Sequence, residues 1–163
     1  MRAARAQLLE STIKERALDA RRHLGGLEVA MAAFGSDFDL EALARSWASD
    51  DPRDLNRAYC VQAGFENVLN NCVRIAQDLC DLEGWGEAGG RGSALDALRL
   101  LHEQGVITAQ TREALKHAQE RRSLIQHDYV RVVVREVHAA VRNVLEHAPL
   151  LLQDVAAQLR QRR

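Results

Sequence analysis

Proline occurs only twice in the 163 residues, and Phe, Trp and Tyr together make up 4% of the chain. The first scarcity leaves long segments free of helix breakers. The second, together with long Ala/Leu/Arg/Glu-rich runs, argues against a sheet and for helices. An all-α fold is therefore expected, in one domain spanning 1–163, since a chain of this length can bury a sizeable core of its own. Three cysteines, Cys60, Cys72 and Cys80, are odd in number and lack a C-x-x-C spacing, which excludes a disulfide framework and a cysteine zinc site. Reduced, partly buried thiols are expected. No run approaches the roughly 18 apolar residues of a membrane span, and the Met1-Arg2-Ala3-Ala4-Arg5 start leads into a charged segment without an apolar stretch. A cytoplasmic protein without membrane association is the expectation.

Excess charge of either sign is also absent. Twenty-two Lys and Arg face twenty-three Asp and Glu, a net charge of −1, which excludes a general polyanion binder. The distribution is uneven: residues 1–23 and residues 112–135 each hold six basic and three acidic side chains, whereas 37–54 holds six acidic and two basic. A locally positive face on a neutral protein fits nucleic acid handled at one cleft. It fits an acidic protein partner equally well.

The chain punctuates itself into helices. Apolar residues recur at helical spacing from about Ala3 to Phe34, through Leu8, Ile13, Leu24, Leu27 and Met31. Gly25-Gly26 inside this stretch suggests a kink or a close helix contact, and Gly35 a C-cap. A short helix is expected from Ser36-Asp37 to Trp47. Asp51 as N-cap with Pro52 in the first turn opens a long helix from Arg53 to about Leu82, whose broad stripe includes Leu55, Tyr59, Val61, Phe65 and Leu69.

Glu83 to Gly92 reads as a loop. Gly84-Trp85-Gly86-Glu87-Ala88-Gly89 within it matches G-x-G-x-x-G, but that fingerprint binds a dinucleotide only between a strand and a helix N-terminus, and here a helix precedes it. Ser93 caps a helix from Ala94 to Glu103. A last helical region is expected from about Ala109 to Ala148, with Pro149 interrupting it before a final segment from Leu150. The valine-rich stretch 130–137 keeps helical spacing and is read as helix.

One part of that region carries chemistry: Arg121-Arg122-Ser123-Leu124-Ile125-Gln126-His127-Asp128-Tyr129. Arginine supplies a permanent planar cation suited to phosphate oxygens, and histidine moves protons near neutral pH. The plainer reading is that both are solvated residues of a helix face. Against it, Leu115, Ala118, Arg122, Ile125, Tyr129 and Val132 follow one another by three- and four-residue steps, so Arg122 occupies an apolar stripe, where a charge needs a partner or a purpose. His127 projects about 140° away from Arg122 on an ideal helix. The remaining histidines, His23, His102, His117, His138 and His147, show no metal-ligand spacing.

Arg122-x4-His127-x-Tyr129 on a late helix resembles the HEPN superfamily, and most closely its HepT-like ribonuclease toxins. Asn56-Arg57-Ala58-Tyr59-Cys60-Val61-Gln62-Ala63-Gly64-Phe65-Glu66 is similar to the start of that family's second long helix. Ala94 to Leu101 and Gly105-Val106-Ile107-Thr108 look like its connecting helix and the turn before the motif helix. Ser123 stands where members often carry Asn or Asp, and its hydroxyl can keep a hydrogen bond.

The resemblance implies an antiparallel helical bundle of about four to five main helices. It implies a metal-independent endoribonuclease toxin that needs no cofactor, in which two protomers of a homodimer join their motifs into a composite active site on RNA, with no role for DNA. Arg122 and His127 would be catalytic, with Ser123 and Glu66 in support, Glu66 by pairing with Arg122 across the bundle. Arg121 and Arg131 would contact the RNA backbone, or else be plain solvated charges. The implied partner is a minimal nucleotidyltransferase (MNT) antitoxin that transfers AMP to Tyr129, which otherwise reads as a packed interfacial ring. The alternative the superfamily offers is a non-catalytic helical module that partners a nucleotidyltransferase.

Overall fold

The computed structural model describes residues 2–86, 93–127 and 134–162; for residues 2 and 123–127 the backbone alone is described. These residues form six helices and no strand: α1 Arg2–Ala32, α2 Leu40–Trp47, α3 Pro52–Glu83, α4 Ala94–Glu103, α5 Ala109–His127 and α6 Val134–Gln161. The fold is all-α as expected, with six helices among the described residues rather than about four to five main ones.

The long α3 is the spine. Asp51 accepts from the Arg53 N–H at 2.8 Å and Pro52 fills the first turn, where a missing N–H leaves nothing unpaired. At the other end Gly84 adopts a left-handed φ of 71°, and the Trp85 N–H returns to the Cys80 carbonyl at 2.9 Å. The loop after α3 thus begins as a helix C-cap, not as the strand-to-helix turn a dinucleotide fingerprint needs; residues 87–92 lie outside the described residues. Val61, Phe65, Val68, Leu69, Cys72, Ile75, Ala76 and Leu79 are all fully buried along α3. Its packing on more than one side follows from the breadth of that set.

Helix α1 runs antiparallel along α3. Arg16 of α1 bonds Asp78 at 2.9 Å, and towards the other end Leu27 meets Gly64, where an added Cβ would stand 3.2 Å from the leucine side chain. The expected kink or close contact at Gly25-Gly26 is not found. The helix passes unbroken through both, and a Cβ on either would meet nothing within 4 Å. The close approach is made by the glycine on the opposite helix.

Helix α2 starts at Leu40, later than Ser36-Asp37, because the chain first turns through left-handed backbone at Gly35 and Phe38, with φ of 88° and 52°. Asp39 then caps the helix, accepting from the Glu41 and Ala42 N–H groups at 3.0 and 3.3 Å. The strained geometry of Phe38 is offset by its environment: the ring is buried, stacks on His138 with centroids 4.7 Å apart, and its carbonyl accepts from His138 Nε2 at 2.6 Å. This contact fastens the approach to α2 onto the start of α6. At α4, Ser93 and Asp96 form the reciprocal capping box, with the Asp96 N–H donating to Ser93 Oγ at 3.1 Å.

Helices α5 and α6 are antiparallel neighbours. Thr111 faces His147, His117 faces Asn143 and Arg121 faces Glu136, a descending register along the pair. The expected interruption at Pro149 does not occur, since α6 continues through it to Gln161. Pro149 lies on the exposed side, while Val144, Ala148, Leu151, Leu152 and Val155 form a continuous buried stripe around it. A proline inside a helix costs about 3 kcal/mol. Burial of that stripe outweighs it.

Candidate active site

Helix α5 delivers the motif. Thr108 Oγ1 accepts from the Thr111 N–H at 3.1 Å where the helix begins, and Leu115 and Ala118 point fully into the core. Arg122 follows on the same stripe, as its spacing predicts. It is half-buried, its Nε is shut off from solvent without a hydrogen bond, and among the described residues it has no ion pair. An orphaned buried donor costs about 1–3 kcal/mol. Such a group in a helix interior marks a place where an acceptor is missing.

Glu66 does not supply that acceptor. Its carboxylate accepts from Gln62 Nε2 at 3.0 Å, and no Glu66–Arg122 ion pair is found among the described residues. The expected pairing across the bundle is therefore not seen. Arg121 points elsewhere as well. Its Nε donates to His117 Nε2 at 3.2 Å and lies 2.9 Å from Glu136 Oε2 on α6 in an ion pair. On the other side of the ring His117 Nδ1 lies 3.1 Å from Asn143 Nδ2 of α6. Arg121 is thus drawn into a chain of contacts between α5 and α6.

His127 is the last residue of α5 and its side chain lies outside the described atoms, as does that of Ser123. Tyr129 and Arg131 lie outside the described residues altogether. The register of α5 places His127 five residues beyond Arg122 and about 140° around the axis. Arg122 occupies the inward stripe, while Arg121 faces α6.

The spacing R-x4-H occurs twice on this helix, at Arg112–His117 and at Arg122–His127. The first is taken up locally: Arg112 Nε donates to the neighbouring Glu113 at 2.9 Å, and His117 is held by Arg121 and Asn143. The remaining histidines serve structure or face solvent. His102 Nδ1 lies 3.2 Å from the Ile107 carbonyl, His138 binds Phe38, and the buried His147 lies 3.3 Å from Thr111 Oγ1. Among the described residues no group of three or more His, Cys, Asp or Glu is placed to hold a metal, and no helix is long and apolar enough to cross a membrane.

A family model described as Ribonuclease HepT-like matches residues 40–155. The chain belongs to the HepT-like ribonuclease family. No curated protein and no solved structure matches it. The matched span opens on the first residue of α2 and closes within α6, so it contains the whole of α5. Helix α1 lies outside it. Within that span the Arg121–Glu136 link was not legible in the sequence, because two residues 15 positions apart reveal their contact only once α5 and α6 are laid side by side.

A second feature escaped sequence reading. Tyr59, placed by periodicity on the inward stripe of α3, is 42% exposed and lines an open recess of about 270 Å³ with Gln62, Ala63 and Glu66. The Trp47 ring of α2 meets Tyr59 at 83°, with centroids 6.0 Å apart. Through α2 and the Phe38–His138 stack, this recess and the start of α6 share one end of the bundle.

Proposed function

We propose that this protein is the toxin of a toxin–antitoxin pair, a metal-independent endoribonuclease in which Arg122 and His127 carry the chemistry. The observation that supports this reading best is the orphaned Nε of Arg122, a buried cationic donor on an otherwise apolar stripe of the motif helix. The planar guanidinium that ends this side chain suits phosphate oxygens.

RNA supplies its own nucleophile. His127 removes the 2′-OH proton, the oxygen attacks the adjacent phosphorus, and the P–O5′ bond breaks as the leaving oxygen is protonated. Arg122 stabilises the charge that builds on the non-bridging oxygens. The products are a 2′,3′-cyclic phosphate and a 5′-hydroxyl. Because His127 projects about 140° from Arg122 on one helix, a second copy of the motif helix across a dimer cleft brings the two groups to one phosphate. Ser123 contributes a hydroxyl next to Arg122 in the sequence, and Arg131 adds contacts to the RNA backbone.

Tyr129 is the acceptor of AMP from a minimal nucleotidyltransferase antitoxin. An adenylate two residues from His127 brings negative charge and bulk to the place the RNA phosphate must enter, and cleavage stops. Intact mass of the co-expressed pair tests this arm: a gain in AMP units that vanishes in Tyr129→Phe supports it, and an unmodified chain beside an active antitoxin contradicts it. Purified chain incubated with RNA in EDTA tests the catalytic arm. Cleavage that disappears in His127→Ala supports it, whereas an inert unmodified wild type favours the non-catalytic helical module.

A further inference from the structure

We infer that the recess formed by Tyr59, Gln62, Ala63 and Glu66 is a nucleobase subsite selective for guanine, an assignment that rests on the ribonuclease reading and gives it a sequence preference. The four residues fall at i, i+3, i+4 and i+7 and so share one face of α3. Pockets for whole small molecules span about 300–1,000 Å³, so a recess of about 270 Å³ suits a single base rather than a nucleotide.

Each wall has a matching role. Tyr59 offers a ring that is 42% exposed, and Trp47, which meets it nearly at right angles, covers one face at most. Ala63 keeps the floor low between the two longer side chains. Gln62 is 8% exposed and donates to Glu66 Oε1 at 3.0 Å, which fixes the carboxylate, while its own Oε1 is closed off from solvent. The acceptor that the recess presents is the Glu66 carboxylate.

An anionic recess repels a phosphate and takes a base edge with adjacent donors. Guanine alone presents N1–H and N2–H side by side, at the spacing of two carboxylate oxygens. Adenine and cytosine set a ring acceptor beside their amino group, and uracil flanks its N–H with two carbonyls, so each brings a lone pair against Glu66. The recess lies at the same end of the bundle as the start of α6, and single-stranded RNA is read by stacking plus edge contacts of this kind.

The test uses the full chain and four deoxytrinucleotides, thymidine-flanked with a central guanine, adenine, cytosine or thymine, which lack the 2′-OH and cannot be cleaved. Binding is followed by NMR through the Ala63 amide and the Trp47 indole. The guanine trimer is expected to bind about tenfold tighter than the others. Glu66→Gln should erase that preference while leaving a common weak affinity, Tyr59→Ala should weaken all four about tenfold, and Tyr59→Phe should keep wild-type binding. Equal affinity for the four trimers, or a guanine preference unchanged in Glu66→Gln, overturns the assignment. Guanine-selective binding by a chain that cleaves no RNA keeps the subsite and overturns the ribonuclease reading; cleavage without base selectivity does the reverse.

Discussion

Arg121 at the far end of α5 and Glu136 in the first turn of α6 are joined by a 2.9 Å ion pair, and the stretch of chain between them contains Arg122, His127 and Tyr129. The segment that carries the motif is therefore tied at both of its ends. The two side chains are 34% and 38% exposed. At that exposure the pair contributes about 0.2–1 kcal/mol. A urea double-mutant cycle on Arg121→Ala and Glu136→Gln should return a coupling in that range.

Arg122 should behave in the opposite way towards stability. Its Nε is buried without a partner, so Arg122→Met continues the Leu115–Ala118 stripe and removes an orphaned donor. The variant should be as stable as the parent or more stable by about 1 kcal/mol, yet lose RNA cleavage by about a hundredfold or more. Urea melts and initial rates measured on the same preparation check both halves.

Gly64→Ala probes the α1–α3 contact. Alanine gains about 1 kcal/mol of helix propensity, but its Cβ would lie 3.2 Å from the Leu27 side chain and 3.3 Å from the Leu27 Cα. Because backbone stands in the way, the overpacking penalty of about 1–3 kcal/mol wins. A net loss of roughly 1 kcal/mol lowers Tm by about 2–4 °C in a chain of this size. Gly25→Ala and Gly26→Ala, which meet open space, should raise Tm instead.

Stability should fall at both ends of the pH range. Burial pushes the Cys72 thiol up to about 12 and Cys80 up to about 11, the latter also through the Asp81 charge. Both folded values exceed the free thiol's, roughly 8.5. The stabilisation is thus complete below that pH and is lost as pH rises from there through 11 and 12. On the acid side, bonds from the Arg53 guanidinium and the Ser93 hydroxyl hold the Asp51 and Asp96 carboxyls below the usual range. Their contribution is present above about pH 4 and lost as pH falls through the depressed values. Asp154, raised by desolvation, works in the opposite direction. Urea melts across pH check the profile. Thiol labelling of the native chain at pH 8 should modify the exposed Cys60 and spare Cys72 and Cys80.

Local signals were legible where the physics is local. The caps at Asp51, Ser93 and Gly84 set their helix ends within about a residue of where composition and turn chemistry put them. Pro149 misled because its effect on α6 depends on what the flanking turns bury, and Gly25-Gly26 misled because the close contact was decided by a glycine on α3. At the site, the anomalous position of Arg122 was readable from its stripe, since that is a property of one helix. The Arg121–Glu136 tie and the Tyr59 recess are properties of helix pairs. Periodicity assigned Tyr59 inward because it counts apolar character and not which neighbour covers each face.

The most direct test of the central proposal is the chemical state of the RNA ends produced by the unmodified full-length chain in EDTA. The proposed chemistry predicts fragments ending in a 2′,3′-cyclic phosphate and starting with a 5′-hydroxyl, absent in folded His127→Ala and Arg122→Met. Fragments with a 5′-phosphate, or cleavage that survives His127→Ala, would contradict it.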